Sequence, residues 1–197
     1  AFTQSPGSKQ PEIVASSTLG AQALNFYHPD DHLLENTNFP RAAENSGTNS
    51  HLTCFVVFSV SAMSSAGDIW FFNYPTLFAL GMQNNGLVVY AGGGYQKAYS
   101  SGAADPLSTS TKYLARYRFT SSGLQTYVNG ALDYQGAYML PADTLTDGET
   151  VNCAIAQASH RTNINADIGE IITYKRELTD TEVGQIESYL NAKWSIY

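Results

Sequence analysis

Positive charge is scarce in this sequence of 197 residues. It contains 10 lysine and arginine residues against 17 aspartate and glutamate residues, which gives a formal net charge of -7. Its densest basic feature is the pair Lys175-Arg176. Proteins that track a phosphate backbone need a basic stripe or patch. The composition therefore predicts that nucleic acid is not a partner.

Long hydrophobic runs are also lacking. No stretch of the sequence approaches the roughly 20 apolar residues that cross a bilayer. We expect no signal peptide before Ala1, with a targeting segment that was removed or not included as the alternative. Charged residues make up only 14% of the sequence, whereas hydrophobic residues make up 43%. A chain of this length suits one domain with a sizeable core. We therefore expect a single globular domain over residues 1–197 that does not insert into a membrane.

Cysteine is limited to Cys54 and Cys153. Each lies on the apolar side of an alternating segment, within 52–58 and 151–155, so both side chains are predicted to face the same core. Two outcomes stay open, namely a disulfide of the kind found in secreted proteins or two buried thiols. Metal ligation by these cysteines is not expected, because no C-x-x-C or cysteine–histidine spacing accompanies them.

Short alternating segments, separated by clusters of Gly, Asn, Ser and Asp, dominate the chain. Strands are predicted at 52–60, 68–72, 76–82, 86–91, 112–119, 123–128, 131–134, 151–158 and 167–175. Asn129-Gly130 predicts a tight hairpin turn, and a second reversal at 121–123 makes residues 112–134 a three-stranded meander. Long polar loops are predicted at 36–51, 92–111 and 157–167. The pattern as a whole predicts an all-β antiparallel sandwich.

One amphipathic helix is predicted after the last strand. Thr179 and Glu182 have the spacing of a capping box, in which each side chain accepts a hydrogen bond from the other residue's backbone amide. Apolar side chains then recur at helical spacing, at Val183, Ile186, Leu190 and Trp194. A helix this short is marginal alone, so we expect it to pack on the sandwich.

Several segments resemble, in family order, the laminin G-like and concanavalin A-like domains. The run 167–182 (DIGEIITYKRELTDTE), followed by 189–194 (YLNAKW), resembles the last strand and terminal helix of that family. Residues 23–33 (ALNFYHPDDHL) resemble its opening strand, 53–58 its first central strand, and 123–130 (GLQTYVNG) its hairpin. The resemblance extends over about residues 10 to 195. It implies a jelly-roll β-sandwich closed by the C-terminal helix, in a chain that is compatible with being part of a longer polypeptide.

Catalytic motifs are lacking. Jelly-roll glucanases, which share the fold that the resemblance implies, carry an E-x-D-x-x-E strand that places three acids on one face, and this sequence has no such motif. Asp167 and Glu170 are three residues apart and would face opposite sides of a strand. Glu170 matches a recurrent position of the family and is interpreted as structural. Since no G-x-S-x-G nucleophile elbow occurs either, the sequence predicts no enzymatic activity.

One segment, residues 28–32 (HPDDH), concentrates candidate metal ligands. Asp30 and Asp31 are candidate Ca²⁺ ligands because carboxylate oxygens suit that ion. The favoured alternative is that the two aspartates form the opening turn of the fold beside exposed histidines. The loop 157–167 lacks the acidic cluster with which pentraxin relatives bind Ca²⁺. We therefore predict no cofactor, with Ca²⁺ at the two aspartates as the alternative.

Two groups of residues combine aromatic rings with polar side chains, as sugar-binding sites do. The first group, in a predicted strand, is Asp68, Trp70, Asn73 and Tyr74. The second group, in predicted loops, is Tyr95, Gln96, Tyr99, His160, Arg161, Asn163 and Asn165. The alternative for the first group is that its aromatic side chains belong to the core.

Two functions follow from the resemblance and the composition. The first is a noncatalytic, lectin-like adhesion module that binds a glycan or a surface protein, on a bacterial surface protein or a phage virion. The second is a structural component, either a capsid decoration or fibre domain of a virion or part of an extracellular filament, that binds protein neighbours. Either function places the chain outside the cell, at a cell surface or on a virion. Fold alone does not decide between them.

Overall fold

The computed structural model describes residues 12–26, 33–35, 49–62, 68–74, 78–83, 86–91, 97–99, 107–137, 140–141, 153–155, 165–174 and 176–197. Its strands are β1 (Glu12–Ser16), β2 (Ala21–Phe26), β3 (Leu33–Glu35), β4 (Asn49–Ser50), β5 (Leu52–Ala62), β6 (Asp68–Tyr74), β7 (Phe78–Gln83), β8 (Gly86–Ala91), β9 (Lys97–Tyr99), β10 (Lys112–Thr120), β11 (Gly123–Val128), β12 (Ala131–Gly136), β13 (Leu140–Pro141), β14 (Cys153–Ile155) and β15 (Asn165–Tyr174). One helix, α1 (Asp180–Trp194), follows them.

Two antiparallel sheets contain most of these strands. A seven-stranded sheet has the order β1-β2-β15-β5-β10-β11-β12, and a six-stranded sheet has the order β3-β14-β6-β7-β8-β9. The short strands β4 and β13 pair with each other in a separate ribbon. The prediction of an all-β antiparallel fold with one C-terminal helix is confirmed.

The main core lies between the two large sheets. Alternate side chains of β5 and β10 face it, as the period of two along a strand requires. Phe58 of the seven-stranded sheet meets Phe71 of the six-stranded sheet with ring centroids 4.5 Å apart. Tyr117 crosses this core and donates a hydrogen bond to the carbonyl of Gly81 at 2.6 Å, so its buried hydroxyl is paired. The two sheets therefore form a β-sandwich.

The helix α1 covers the opposite, outer face of the seven-stranded sheet. There the remaining residues of the central strands, including Phe55, Val57 and Leu114, join a second buried cluster with Val183, Leu190 and Trp194 of the helix. The central parts of β5 and β10 are consequently buried on both faces. None of the residues in β11 and β12, which the structure describes in full, belongs to this second cluster. These two strands thus extend the sheet beyond the helix.

The ends of α1 are fixed by local hydrogen bonds. The Glu182 amide donates to the Thr179 hydroxyl at 3.3 Å, and the Thr179 amide donates to the Glu182 carboxylate at 2.9 Å, so the predicted capping box is confirmed. At the other end, Ser195 adopts the left-handed conformation with φ of 50° and donates its amide to the carbonyl of Asn191. Among the described residues, no helix has the length and apolarity needed to cross a membrane.

The predicted meander over 112–134 is confirmed. β10 pairs with β11, and β11 pairs with β12, both antiparallel. Asn129 and Gly130 both have positive φ, at 49° and 79°, as the hairpin turn requires. The register shifts between Thr126 and Tyr127, which makes Asp133 the extra residue of a β-bulge in β12.

Some predicted boundaries are wrong. The predicted loops 36–51, 92–111 and 157–167 contain β4, β9 and the start of β15, respectively. Strands of two or three residues are too short for a period of two to be recognised. The unpredicted β1 is an edge strand that exposes Ile13 and buries Ser16, the reverse of the usual alternation. Its place is set by pairing with β2 rather than by its own pattern.

Candidate functional site

The first predicted ligand group lies on one strand. Asp68, Trp70, Asn73 and Tyr74 all belong to β6, which runs between β14 and β7 inside the six-stranded sheet. Their backbones lie opposite Gln83, Gly81, Ala79 and Phe78 of β7. The side chains of the four predicted residues lie outside the described part of the structure. Their role in binding stays a prediction.

The second predicted group is divided between the sheets. Asn165 begins β15 in the seven-stranded sheet, and Tyr99 ends β9 in the six-stranded sheet. The other members, which lie outside the described residues, are Tyr95, Gln96, His160, Arg161 and Asn163. The role of this group in binding stays a prediction.

The candidate calcium ligands Asp30 and Asp31 also lie outside the described residues. Within the described ranges, histidine, cysteine, aspartate and glutamate side chains form no group of three or more that could hold a metal ion. Calcium binding by the two aspartates stays a prediction.

Cys54 is a free thiol, fully buried on β5. Burial raises the pKa of this thiol to about 12, although a hydrogen bond donated by Thr173 at 3.6 Å acts in the opposite direction. Cys153 belongs to β14 in the other sheet. In the structure the Cys54 thiol packs in the core as a small apolar side chain. The side chain of Cys153 lies outside the described part of the structure, so its pairing with Cys54 stays a prediction. A thiol with this pKa is unreactive at neutral pH.

The best-defined exposed surface lies where the seven-stranded sheet extends beyond α1. On β11 the neighbours of Gln125 and Tyr127 face the core, so these two side chains point outward. Their register partners on β12 are Gln135 and Leu132. Leu132 is 54% exposed, and Tyr197, just after the helix, is 57% exposed. We call these five residues the outer-edge surface.

Arg116 contacts this surface from the neighbouring strand β10. It lies next to Tyr127 in the register of β10 and β11, with its guanidinium carbon 3.5 Å from the centroid of the tyrosine ring. The same guanidinium donates to Glu187 of α1 at 2.6 Å. Burial raises the pKa of Glu187 above its ordinary value, and Arg116 offsets only part of that rise. A buried ion pair of this kind adds little net stability. Here the same guanidinium contacts both Glu187 and the Tyr127 ring.

Hydrogen bonds to Asn191 hold the residues that follow the helix, and Tyr197 lies against the hairpin turn. The carboxamide oxygen of Asn191 accepts from the amides of Ile196 and Tyr197 at 2.9 Å each. Its nitrogen donates to the carbonyl of Tyr197 at 2.6 Å. The Tyr197 hydroxyl lies beside Gly130, at 3.3 Å from the place that a Cβ would take there. Burial raises the pKa of Tyr197, and Glu187 adds to the rise, so the hydroxyl remains a hydrogen-bond donor at neutral pH.

A separate polar cluster anchors the C-terminal part of α1. Glu170 of β15 accepts hydrogen bonds from Trp194 at 3.0 Å, Lys193 at 2.9 Å and Tyr189 at 3.1 Å. Burial alone would raise the pKa of Glu170, but these donors outweigh it and lower the pKa. A Cβ on Gly169 would come within 2.8 Å of the Trp194 ring, so the glycine lets the indole lie against the strand. These contacts fit the structural role predicted for Glu170.

Sequence reasoning did not identify the outer-edge surface. The alternation of residues 123–128 (GLQTYV) shows which side chains share a face, but not whether another element covers that face. Nothing local to Tyr197 indicates that Asn191 directs it toward the Asn129-Gly130 turn. The sequence does contain one indication of this surface, namely Gln125 and Tyr127, which share one face of a strand beside the tight turn at Asn129-Gly130.

Comparison with known proteins gives a likeness in fold. No protein-family model and no curated protein matches the chain. Among solved structures, the binding domain of Paraclostridial Mosquitocidal Protein 1 is similar with a TM-score of 0.64 and 13% identity, over 92% of this chain and 46% of that chain.

Two botulinum neurotoxin structures are similar in the same way. The binding domain of botulinum neurotoxin DC, in complex with rat synaptotagmin II, has a TM-score of 0.61 and 15% identity over 92% of this chain and 46% of that chain. The ligand binding domain of serotype D, in complex with N-acetylneuraminic acid, has a TM-score of 0.58 and 13% identity over 84% of this chain and 41% of that chain. The chain thus spans less than half the length of these structures, and at such identities the likeness is one of fold.

Proposed function

We propose that this chain is a noncatalytic binding and adhesion module that recognises glycans, carried by a bacterial surface protein or a phage virion. Its place is extracellular, at a cell surface or on a virion. Its sandwich is of the concanavalin A-like, laminin G-like type that the sequence resembles, and residues 1–197 form one domain of that type.

The observation that carries this proposal is the likeness in fold to toxin binding domains over most of the chain. Among these, one domain is in complex with N-acetylneuraminic acid and another with a protein, synaptotagmin II. A rigid sandwich that presents side chains at its edges and loops suits binding, because the frame holds the contact residues in place.

The outer-edge surface adds chemical support. Sugar rings have apolar CH faces, which pack on aromatic rings, and hydroxyl groups, which pair with carboxamides. The surface supplies both, with the rings of Tyr127 and Tyr197 and the carboxamides of Gln125 and Gln135. The predicted residues of β6 are a second candidate for the same chemistry.

A glycan-array screen tests this function. The purified chain is applied once with Ca²⁺ and once with a chelator. We expect selective binding to a defined set of glycans that persists in the chelator, because the described residues supply aromatic and amide groups. Binding that disappears with the chelator would instead indicate a calcium lectin with Asp30 and Asp31 as candidate ligands. A blank array under both conditions would contradict glycan recognition.

A second candidate function is a structural role in a virion or filament, with protein neighbours as partners. The observation that favours it is the exposure of apolar side chains on both edge strands of the seven-stranded sheet. Ile13 on β1 is 72% exposed, and Leu132 on β12 is 54% exposed. Edge strands are natural places for one chain to pair with another.

Sedimentation velocity over a range of concentrations tests the structural role. Concentration-dependent assembly that is lost in an Ile13→Ser or Leu132→Ser variant would support it. A monomer at every concentration, together with a positive array, would leave the binding module as the better account.

A further inference from the structure

We infer that the outer-edge surface binds a neutral glycan, meaning an oligosaccharide without carboxylate or sulfate groups. The inference rests on the proposed glycan-binding function and goes further by naming the site and the charge class of the ligand. It depends on three properties of the surface, namely its aromatic rings, its carboxamides and the pairing of the arginines beside it.

The Tyr127 ring and the backbone of Tyr197 are fixed before any ligand arrives. The Tyr127 ring lies on the Arg116 guanidinium, and its hydroxyl donates to Gln125 at 3.2 Å. Tyr197 is held by its backbone bonds to Asn191. Side chains that are already ordered lose little conformational entropy on binding, which favours affinity. Tyr197, which is 57% exposed, is suited to stacking against a sugar ring, and the less exposed Tyr127 belongs to the same surface.

The carboxamides lie next to these rings. Gln125 and Gln135 are register partners on β11 and β12, so their side chains are neighbours on the same face as Tyr127. Gln135 is exposed, and the described residues include no hydrogen-bond partner for its side chain. A carboxamide donates and accepts at once, which matches the hydroxyl groups of a sugar.

The arginines beside the surface are already paired with carboxylates. Arg116 is paired with Glu187 and Arg118 with Asp180 and Glu177. Lys193 is paired with Glu170 and Arg176 with Glu182. Lys112 donates to the carbonyls of Trp194 and Ser195, near Tyr197, and has no carboxylate partner among the described residues.

Among the arginine side chains that the structure describes, none is therefore left to neutralise an acidic sugar. The ammonium of Lys112 keeps its charge, but two of its hydrogen bonds are already made to main-chain carbonyls. Removing an unpaired carboxylate from water is costly. The net charge of -7 adds a repulsion that acts at longer range. A neutral oligosaccharide meets neither penalty, and this sets the ligand apart from the N-acetylneuraminic acid bound by the serotype D domain.

The test combines an array with surface variants of the whole chain. The array carries neutral oligosaccharides ending in galactose, N-acetylglucosamine or mannose, and the same glycans capped with N-acetylneuraminic acid. We expect binding to neutral members and its loss on capping. The neutral glycan bound most strongly is then titrated against Tyr197→Ala and Gln135→Ala by biolayer interferometry, and each variant is expected to bind at least about tenfold more weakly.

Tyr189→Ala is the matched control. It removes a tyrosine of α1, 47% exposed, which bonds to Glu170 rather than to the outer-edge surface. We expect unchanged affinity in this variant, and circular dichroism shows whether all three variants keep the fold.

Each other outcome overturns a distinct part of the inference. Unchanged affinity in Tyr197→Ala and Gln135→Ala, with a positive array, would place the site elsewhere and leave the proposed function intact. Binding restricted to capped glycans would contradict the neutral class. A blank array would overturn both the inference and the proposed function, and self-association lost in Leu132→Ser would assign the surface to protein contacts.

Discussion

The outer face of the seven-stranded sheet presents different residues where α1 covers it and where the sheet extends beyond α1. Under the helix, β5 and β10 present Phe55, Val57 and Leu114, which are all at most 1% exposed. Beyond the helix, β11 presents Gln125 and Tyr127. The strands belong to one sheet and alternate with the same period, so the difference lies in what covers them.

The border between the two regions is marked by arginines. Arg116 and Arg118 occupy the outward positions of β10 after Leu114, and both pair with carboxylates on or next to the helix. Their long side chains cover apolar surface while their charged ends reach the edge of the helix. The comparison teaches that the residue type at outward positions, rather than the strand pattern, distinguishes a face covered by the chain itself from a face available to a ligand.

The largest expected effect is at the indole that joins helix and sheet. Trp194→Ala removes a side chain that is 4% exposed and donates to Glu170. We expect the free energy of unfolding to fall by about 3–5 kcal/mol, as for other buried aromatic truncations. Urea denaturation followed by circular dichroism measures it. A loss below about 1 kcal/mol would show that the helix is held mainly by other contacts.

A pair of glycine variants tests how closely the helix approaches the sheet. In Gly169→Ala the new Cβ would meet the Trp194 ring, and because that ring is buried we expect destabilisation by about 1–3 kcal/mol. In Gly184→Ala the new Cβ has no neighbour within 4 Å, and a helix interior gains about 0.5–1 kcal/mol from the change. Opposite signs in the same urea titration would confirm the close approach, whereas equal signs would contradict it.

Much of the covered region could be predicted from sequence because its signals are local. The Thr179 and Glu182 spacing gives the start of the helix, and Val183, Leu190 and Trp194 give the face that it buries. The uncovered region depends on contacts distant in sequence, such as Arg116 with Glu187 and Tyr197 with the turn at Gly130. No period or motif reports such contacts, so the outer-edge surface became visible only in the fold.

A smaller effect is expected at the start of the helix. Thr179→Ala removes the hydroxyl that accepts the Glu182 amide, and we expect a loss of about 1 kcal/mol. Thr181→Ala changes an exposed threonine two residues further on and should leave the unfolding midpoint nearly unchanged. If both variants behaved alike, the helix boundary at Thr179 would be wrong.

The capping box also predicts that the stability of the fold depends on pH. Hydrogen bonds lower the pKa of Glu182 from 4.5 to about 2, and the largest contribution comes from Arg176, followed by Thr179. Because the folded-state pKa is depressed, the resulting stability is fully present above about pH 4.5 and is lost as the pH falls toward 2. Glu182→Gln should remove this part of the acid dependence when thermal unfolding is followed between these pH values. An identical acid profile in the variant would show that the carboxylate does not contribute to the cap.

The smallest change in stability is expected at Leu132, in the part of the sheet that α1 does not cover. Leu132→Ala truncates a side chain that is 54% exposed, so we expect the free energy of unfolding to change by less than about 0.5 kcal/mol. Leu114→Ala makes the same truncation under the helix, at a side chain that is 1% exposed, and should cost about 2–5 kcal/mol. Equal losses at both positions would mean that Leu132 is covered in solution. Since the chain itself leaves Leu132 open, the cover would be a second molecule, and the region beyond the helix would then be an assembly surface rather than a glycan site.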